Sequence, residues 1–392
     1  MSDNTLTRVA YTREQAAELA AELERRSRTA KDYVVQARGV QFEVQDGDDG
    51  NPLGLVSLIP DGTRLGSKLA LPITHTAHAQ LADTLGIPKV YYDRMLVEDV
   101  DLLATNVNHW AQRDDRNRLL RTIDYGDGRP VLRAWLSDRY RALDNVDLFF
   151  GAIKTGWEAG AEVSRVNLTD DKFELRMLHR EWREGLSYPE NGRGPVYGLD
   201  GGHRIGRRAD SVFLPGIYLG NSETGRGGLT VRPFLLDMVC SNGLVGEASF
   251  SQVHLGGRLE AGYLSRETVG LKDQVLWAEV RDLVRATFDE ERFRRMVRAL
   301  GQTTAEVLAD PVQAVSDVAV RYNLPDADRQ AILNELISPG HDRDPGRTVF
   351  GLISAITERA RTYQATDPDR ATGYEEIAGD LVGAGRQLVA VR

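Results

Sequence analysis

Apolar residues first recur at helical spacing near the start of the chain, where Ala16, Leu19, Ala20 and Leu23 share one side of a segment from about Thr12 to Arg28. That spacing predicts an amphipathic helix. Short strand-like runs follow, DYVVQA, VQFEV and PLGLVSLI, with turn-rich GDDGNP and PDGT between the later ones. PITHTAHAQLADTLGIPKVYYDRML reads as a helix that Thr74 can cap, a break at Gly86-Ile87-Pro88, and a second short helix. From Leu119 the pattern turns to β. LLRTID and VLRAWLS flank the turn YGDGRP as a hairpin. In DNVDLFFGAIKTGW, Phe149, Ile153 and Trp157 recur every fourth position behind a cap at Asp144 or Asn145, which predicts a helix. A second hairpin joins VSRVNL to KFELRML through Thr169-Asp170-Asp171.

Residues 180–210 are rich in Gly and Arg without sustained periodicity, so a long mobile loop is expected there. Strands resume with SVFLPGIYLG and GLTVRPFLL. From about Leu264 the pattern is helical to the end, its longest piece running from Glu267 to Leu300, with breaks near Pro311, Pro325, Pro339 and Pro345. The expected fold is α+β: a mixed β-hairpin/helix core with antiparallel sheet over 1–262, then a helical C-terminal region over 263–392.

Composition changes this picture little. With 392 residues, 41% hydrophobic and 27% charged, the chain is an ordinary globular one with room for two domains. No apolar run approaches the roughly 20 residues that span a bilayer, and no basic start leads into an apolar core, so a cytoplasmic address is expected. The single cysteine, Cys240, excludes an internal disulfide and a thiolate-rich metal site. Beside Val239 and Leu244 it reads as a small buried hydrophobe rather than a nucleophile. A net charge of −9 argues against a surface that is basic throughout, and leaves room for a local basic groove.

GNSETGRG, Gly220–Gly227, carries the two glycines of a phosphate-binding loop at their proper spacing. Arg226 replaces the lysine, Gly227 replaces the hydroxyl that would meet Mg²⁺, and the strand-like LTVRPF follows where a helix is required. A hairpin turn is expected instead. His75 and His78, three apart on a helix, fit two metal ligands but lack an evident third. No motif for a cofactor or a catalytic triad is present, and no paired carboxylates mark a desolvated acid/base site.

Basic residues interleaved with aromatics on strands are the more telling pattern. In VLRAWLS, Leu132, Ala134 and Leu136 make one face, while Arg133 and Trp135 share the other beside Arg121 of the neighbouring strand. Arg139, Tyr140 and Arg141 follow directly. Arginines neutralise phosphates and flat rings stack bases, the usual scheme for single strands. Arg204, Arg207 and Arg208 add a flexible clamp. The competing reading puts Trp135 in the core and pairs the arginines with Asp138 and Asp144.

LPITHTAHAQLADTLGIPKVYYDRML, RAWLSDRYRALDN, GNSETGRGGLTVRPFL and VCSNGL, in this order over roughly Leu69 to Val253, resemble the phage- and plasmid-borne family called domain of unknown function 932. The resemblance implies a mobile-element protein and hands over no catalytic residues. The strand–strand–helix–hairpin order from Leu119 to Leu178 is also similar to the core of single-strand annealing proteins such as RecT and Red-beta, which implies assembly on one strand in a basic groove. The resulting expectation is a non-enzymatic, oligomeric protein that binds, and anneals, single-stranded DNA, with a phage or host replication or recombination protein as a further partner. The alternatives are a metal-dependent hydrolase or nuclease around His75 and His78, and a host-interaction or anti-defence binding protein.

Overall fold

The computed structural model describes residues 6–9, 13–46, 52–58, 69–141, 143–189, 195–198, 203–204, 207–208, 210–238, 242–245, 250–252, 266–338, 346–364 and 366–388. Strand β1 (Leu6–Val9) precedes the opening helix α1 (Arg13–Thr29), which buries Ala16, Leu19 and Leu23 as its spacing requires. Strands β2 (Lys31–Gln36), β3 (Gln41–Asp46), β4 (Pro52–Leu58) and β5 (Leu69–Pro72) come next. Helix α2 (His75–Thr84) is capped by Thr74, whose Oγ1 accepts from the Ala77 amide at 3.3 Å. Pro88 then opens α3 (Lys89–Glu98), and Asp99 caps α4 (Val100–Ala111). The expected hairpin follows as β6 (Asn117–Ile123) and β7 (Val131–Ser137). These strands form two three-stranded antiparallel sheets, β2-β6-β7 and β3-β4-β5. Leu71, Leu81, Tyr92, Leu103, Leu120 and Trp135 make a shared core between them and the three helices.

Helix α5 (Asn145–Glu158) leads into β8 (Glu162–Leu168) and β9 (Phe173–Leu178), the second expected hairpin. The 180–210 stretch is not wholly loop: β10 (Glu184–Ser187) is a fully buried strand and pairs with β11 (Val196–Tyr197). Two short strands, β12 (His203–Arg204) and β13 (Arg207–Arg208), pair with each other. Their side chains, including those of Arg204, Arg207 and Arg208, lie outside the described residues, as do the intervening segments and Cys240. The long strands β14 (Ser211–Asn221) and β15 (Leu229–Asp237) flank GNSETGRG as a hairpin, and the short β16 (Asn242–Val245) and β17 (Phe250–Gln252) add to β15.

Apart from the β12–β13 pair, these strands and β1 build one large antiparallel sheet. Strand β14 pairs with β15 along one edge, and with β10 and then β9 along the other, while β8 and β1 extend it beyond β9. Strict alternation gives its strands two chemically different faces. Val166, Leu168, Phe173, Leu175, Met177, Ile217, Leu219, Leu229 and Val231 form the apolar face, under α1, α5 and helix α6 (Arg266–Thr287). The opposite face, called the polar face below, carries Glu174, Arg176, Tyr218 and Arg232 beside a small apolar cluster of Leu178, Phe234 and Leu236.

The C-terminal region is helical as expected, though its longest predicted piece is two helices. Asp289 interrupts it, its Oδ1 accepting from the Arg292 amide at 2.8 Å to cap α7 (Glu290–Gln302). Pro311 starts α8 (Pro311–Arg321), and Pro325 precedes α9 (Asp326–Ile337). Helices α10 (Val349–Tyr363) and α11 (Pro368–Leu388) complete the bundle. Pro339 and Pro345 lie outside the described residues. Helices α7–α11 share a core that also takes in Leu186, Phe213 and Leu235 of the large sheet. The expected boundary at 262/263 falls among residues outside the description, and α6, just beyond it, buries Leu276, Val280 and Val284 against the large sheet. No helix among the described residues is long and apolar enough to cross a membrane.

A candidate nucleic-acid interface

The surface expected on β7 is not a surface. Trp135 is 2% exposed, and Arg121 and Arg133 are each 3% exposed. The parity rule fails because the pairing register slips: Arg121 opposes Ala134, Thr122 opposes Leu132, and Arg133 is the extra residue between them. A β-bulge of this kind reverses the facing of everything beyond it. Trp135 therefore joins Leu120 and Leu132 in the core with α2, α3 and α4, its indole nitrogen without a hydrogen-bond partner among the described residues.

Arg121 and Arg133 face the other way, where the β14–β15 hairpin tip closes over them. Glu223 is the anchor. Its Oε2 meets Arg133 Nη2 at 2.8 Å, and its Oε1 accepts from the Asn145 amide at the start of α5 at 2.7 Å. Arg121 donates to the Glu223 carbonyl at 2.8 Å and pairs with Asp32 at 2.9 Å and Asp144 at 3.5 Å. Burial alone would raise the Glu223 carboxyl, but the Arg133 charge, the Asn145 amide and Arg121 outweigh it and hold the group below its ordinary value. Further bonds pin the same loop: the Tyr140 hydroxyl donates to the Ser222 carbonyl at 2.8 Å, and Gln80 Nε2 donates to the Thr224 carbonyl at 2.6 Å. The glycine-rich loop is thus no anion site. It supplies the anion itself.

Of the other expected contacts, Arg139 is exposed, Tyr140 is half-buried with its hydroxyl engaged as above, and Arg141 pairs with Asp273 of α6. Tyr140 thus fixes the hairpin loop, while Arg141 ties its own segment to α6. His75 points to solvent while His78 is buried, with Nδ1 2.8 Å from the Tyr92 hydroxyl. Burial, with Lys89 and His75 adding to it, lowers the His78 pKa to about 4, so the ring is neutral. No group of three His, Cys, Asp or Glu side chains among the described residues is placed to hold a metal ion.

Charge and flat rings do meet on a sheet, but on the polar face of the large one. Register sets Arg165 of β8 opposite Arg176 of β9, Arg176 opposite Tyr218 of β14, and Tyr218 opposite Arg232 of β15. Residues directly opposed across strands point to the same face, so the four form one transverse row. The Arg176 guanidinium carbon lies 5.5 Å from the Tyr218 ring centre. Tyr218 donates to Glu174 Oε1 at 2.9 Å, and burial, with the Glu174 charge, raises the phenol well above its ordinary value, so it stays protonated. Burial lowers the pKa of Arg165, and the neighbouring Arg176 charge lowers it further; among the described residues Arg165 has no ion-pair partner and donates to the Gln364 carbonyl at 2.9 Å. A cleft of about 190 Å³ opens at the β15 end of the row, lined by Lys172, Glu174, Tyr218, Arg232, Thr372 and Glu376 among others. A water-sized void of about 10 Å³ continues it between Arg165, Arg176, Gln364 and Thr372.

Sequence reasoning missed this row, although its signal was present. Arg165 and Asn167 alternate with Val166 and Leu168, Glu174 and Arg176 with Phe173, Leu175 and Met177, and Thr230 and Arg232 with Leu229 and Val231. Only the register that aligns these separate alternations was missing. Comparison of the chain with protein-family models, with curated proteins and with solved structures finds no match.

Proposed function

We propose that this chain binds single-stranded nucleic acid across the β8–β9–β14–β15 face, as an oligomer, and that it serves phage or plasmid DNA metabolism. The observation that carries the reading is the aligned row Arg165–Arg176–Tyr218–Arg232. Three guanidiniums supply charge for phosphates, and the phenol ring among them is a plane on which a base stacks. A sheet edge-to-edge spacing of about 4.8 Å makes four strands span about 14 Å. That accommodates about four nucleotides at 3.4 Å each, so several copies side by side are needed to hold a useful length. The mobile-element setting rests on the resemblance of the quoted motifs.

Fluorescence anisotropy with a labelled oligothymidylate tests it. Three neutralised phosphates at about −0.7 each make a log–log salt slope of about −2, or roughly twentyfold weaker binding per copy from about 50 to 200 mM salt. In an Arg165→Ala/Arg232→Ala protein the slope falls to about −0.7. Absence of binding at the lower salt, or an unchanged slope in the double variant, overturns the reading.

A further inference from the structure

The sheet meets the C-terminal bundle in two unlike ways, and the arginine row lies beneath the start of α11. Leu186, Phe213 and Leu235, which register places on the sheet's apolar face, reach the bundle core with α7–α11. Around the basic row, where the ring centre of Phe234 of the sheet itself lies 5.5 Å from the Arg176 guanidinium carbon, the described bonds to the helical region are ion pairs and hydrogen bonds. Arg176 pairs with Glu375 at 3.0 Å, Arg232 pairs with Glu376, Lys172 at the cleft mouth pairs with Asp369, and Arg165 meets the Gln364 carbonyl at 2.9 Å. All four accepting oxygens come from α11 or from the residues just before it. They stand where the oxygens of a polyanion would stand, and the cleft and the water-sized void separate the two layers between them. Ion-paired contacts that leave voids resemble an interface between mobile parts more than a core.

We infer that the first half of α11, residues 368–376, is an acidic cover that occupies the arginine row in the absence of nucleic acid and gives way to its phosphates. This inference rests on the strand-binding reading above and assigns its regulation. Asp369, Glu375 and Glu376 hold the cover over the row by charge, Arg370 and Tyr374 tie it back to Asp328 so that it moves only as those bonds open, and Ile377, Ala378 and Leu381 keep the rest of the helix anchored in the bundle. The rim carboxylates are the ones to change, since the Asp369 and Glu376 side chains remain 64% and 38% exposed, whereas removing the buried Glu375 would strand Arg176 without a partner.

The test measures oligothymidylate affinity of the full chain against Asp369→Asn/Glu376→Gln, with Asp369→Asn alone as the milder variant should the double one fold poorly. Hydrogen exchange of residues 368–376 is followed with and without the oligonucleotide. The expected result is roughly tenfold tighter binding by the double variant, and faster exchange of 368–376 in the wild type when the oligonucleotide is bound. Equal affinities, or slower exchange in the complex, overturn the cover while the strand-binding reading stands. No binding by any of the proteins removes that reading, and the cover with it.

Discussion

Arg133 and Glu223 form a pair that is almost wholly removed from water, and such a pair destabilises strongly when one member is lost. Glu223→Gln is expected to cost about 3–5 kcal/mol in urea unfolding, because Arg133 and Arg121 are then buried beside an uncharged amide. A change under about 0.5 kcal/mol would show that water reaches the site. Asp328 is the counterpart in the helical bundle. Its carboxylate accepts from the Tyr363 hydroxyl at 2.8 Å and also binds Arg359, Arg370 and Tyr374. Burial opposes its charge, but Tyr374, Tyr363 and the two arginines lower its pKa from 3.8 to about 2. A depressed carboxyl stabilises the folded state above its unfolded pKa and loses that contribution as pH falls through the folded one. The wild type is therefore expected to lose about 2 kcal/mol between about pH 4 and pH 2 beyond what Asp328→Asn protein loses. Parallel melting profiles for the two proteins across that range would contradict it.

At the level of elements, much of the fold was readable and one strand misled. Helices α1, α2, α3 and α5, both expected hairpins and the turn nature of GNSETGRG follow from local spacing, and local spacing is what α-helices and hairpins obey. β7 could not be read that way. The extra residue at Arg133 is a property of pairing with β6, invisible in VLRAWLS alone, and it exchanges the two faces of the strand. The arginine row was hidden for a related reason: its members lie on four strands from Arg165 to Arg232, and only the registers bring them into line. The hairpin tip offers a test of how tightly this scaffold is set. Gly225 has φ +78, and a Cβ there would lie 2.6 Å from Leu136 Cδ2. Gly225→Ala is expected to cost about 1–3 kcal/mol. Gly39→Ala, where a Cβ meets nothing within 4 Å, should change stability by less than about 0.5 kcal/mol. Equal effects of the two substitutions would mean that the tip is not docked as described.

For the whole molecule, the division of labour is between a sheet that carries fixed positive charge and a helical bundle that neutralises it. The chain as a whole is acidic, at −9, so the proposed strand binding depends on where the charges sit rather than on their sum. The residues that sequence reasoning placed at the strand, Arg121, Arg133 and Trp135, instead hold the hairpin tip and the core together, and substitution of Trp135 by Ala should cost about 3–5 kcal/mol of stability. Photo-cross-linking tests the central claim most directly. A single-stranded oligonucleotide carrying bromodeoxyuridine is irradiated on the full chain, and the adducts are mapped by mass spectrometry. Adducts on peptides spanning 162–178 and 216–234, with Tyr218 prominent, are the expected result; adducts confined to β6, β7 or the helices, or none at all, would contradict it.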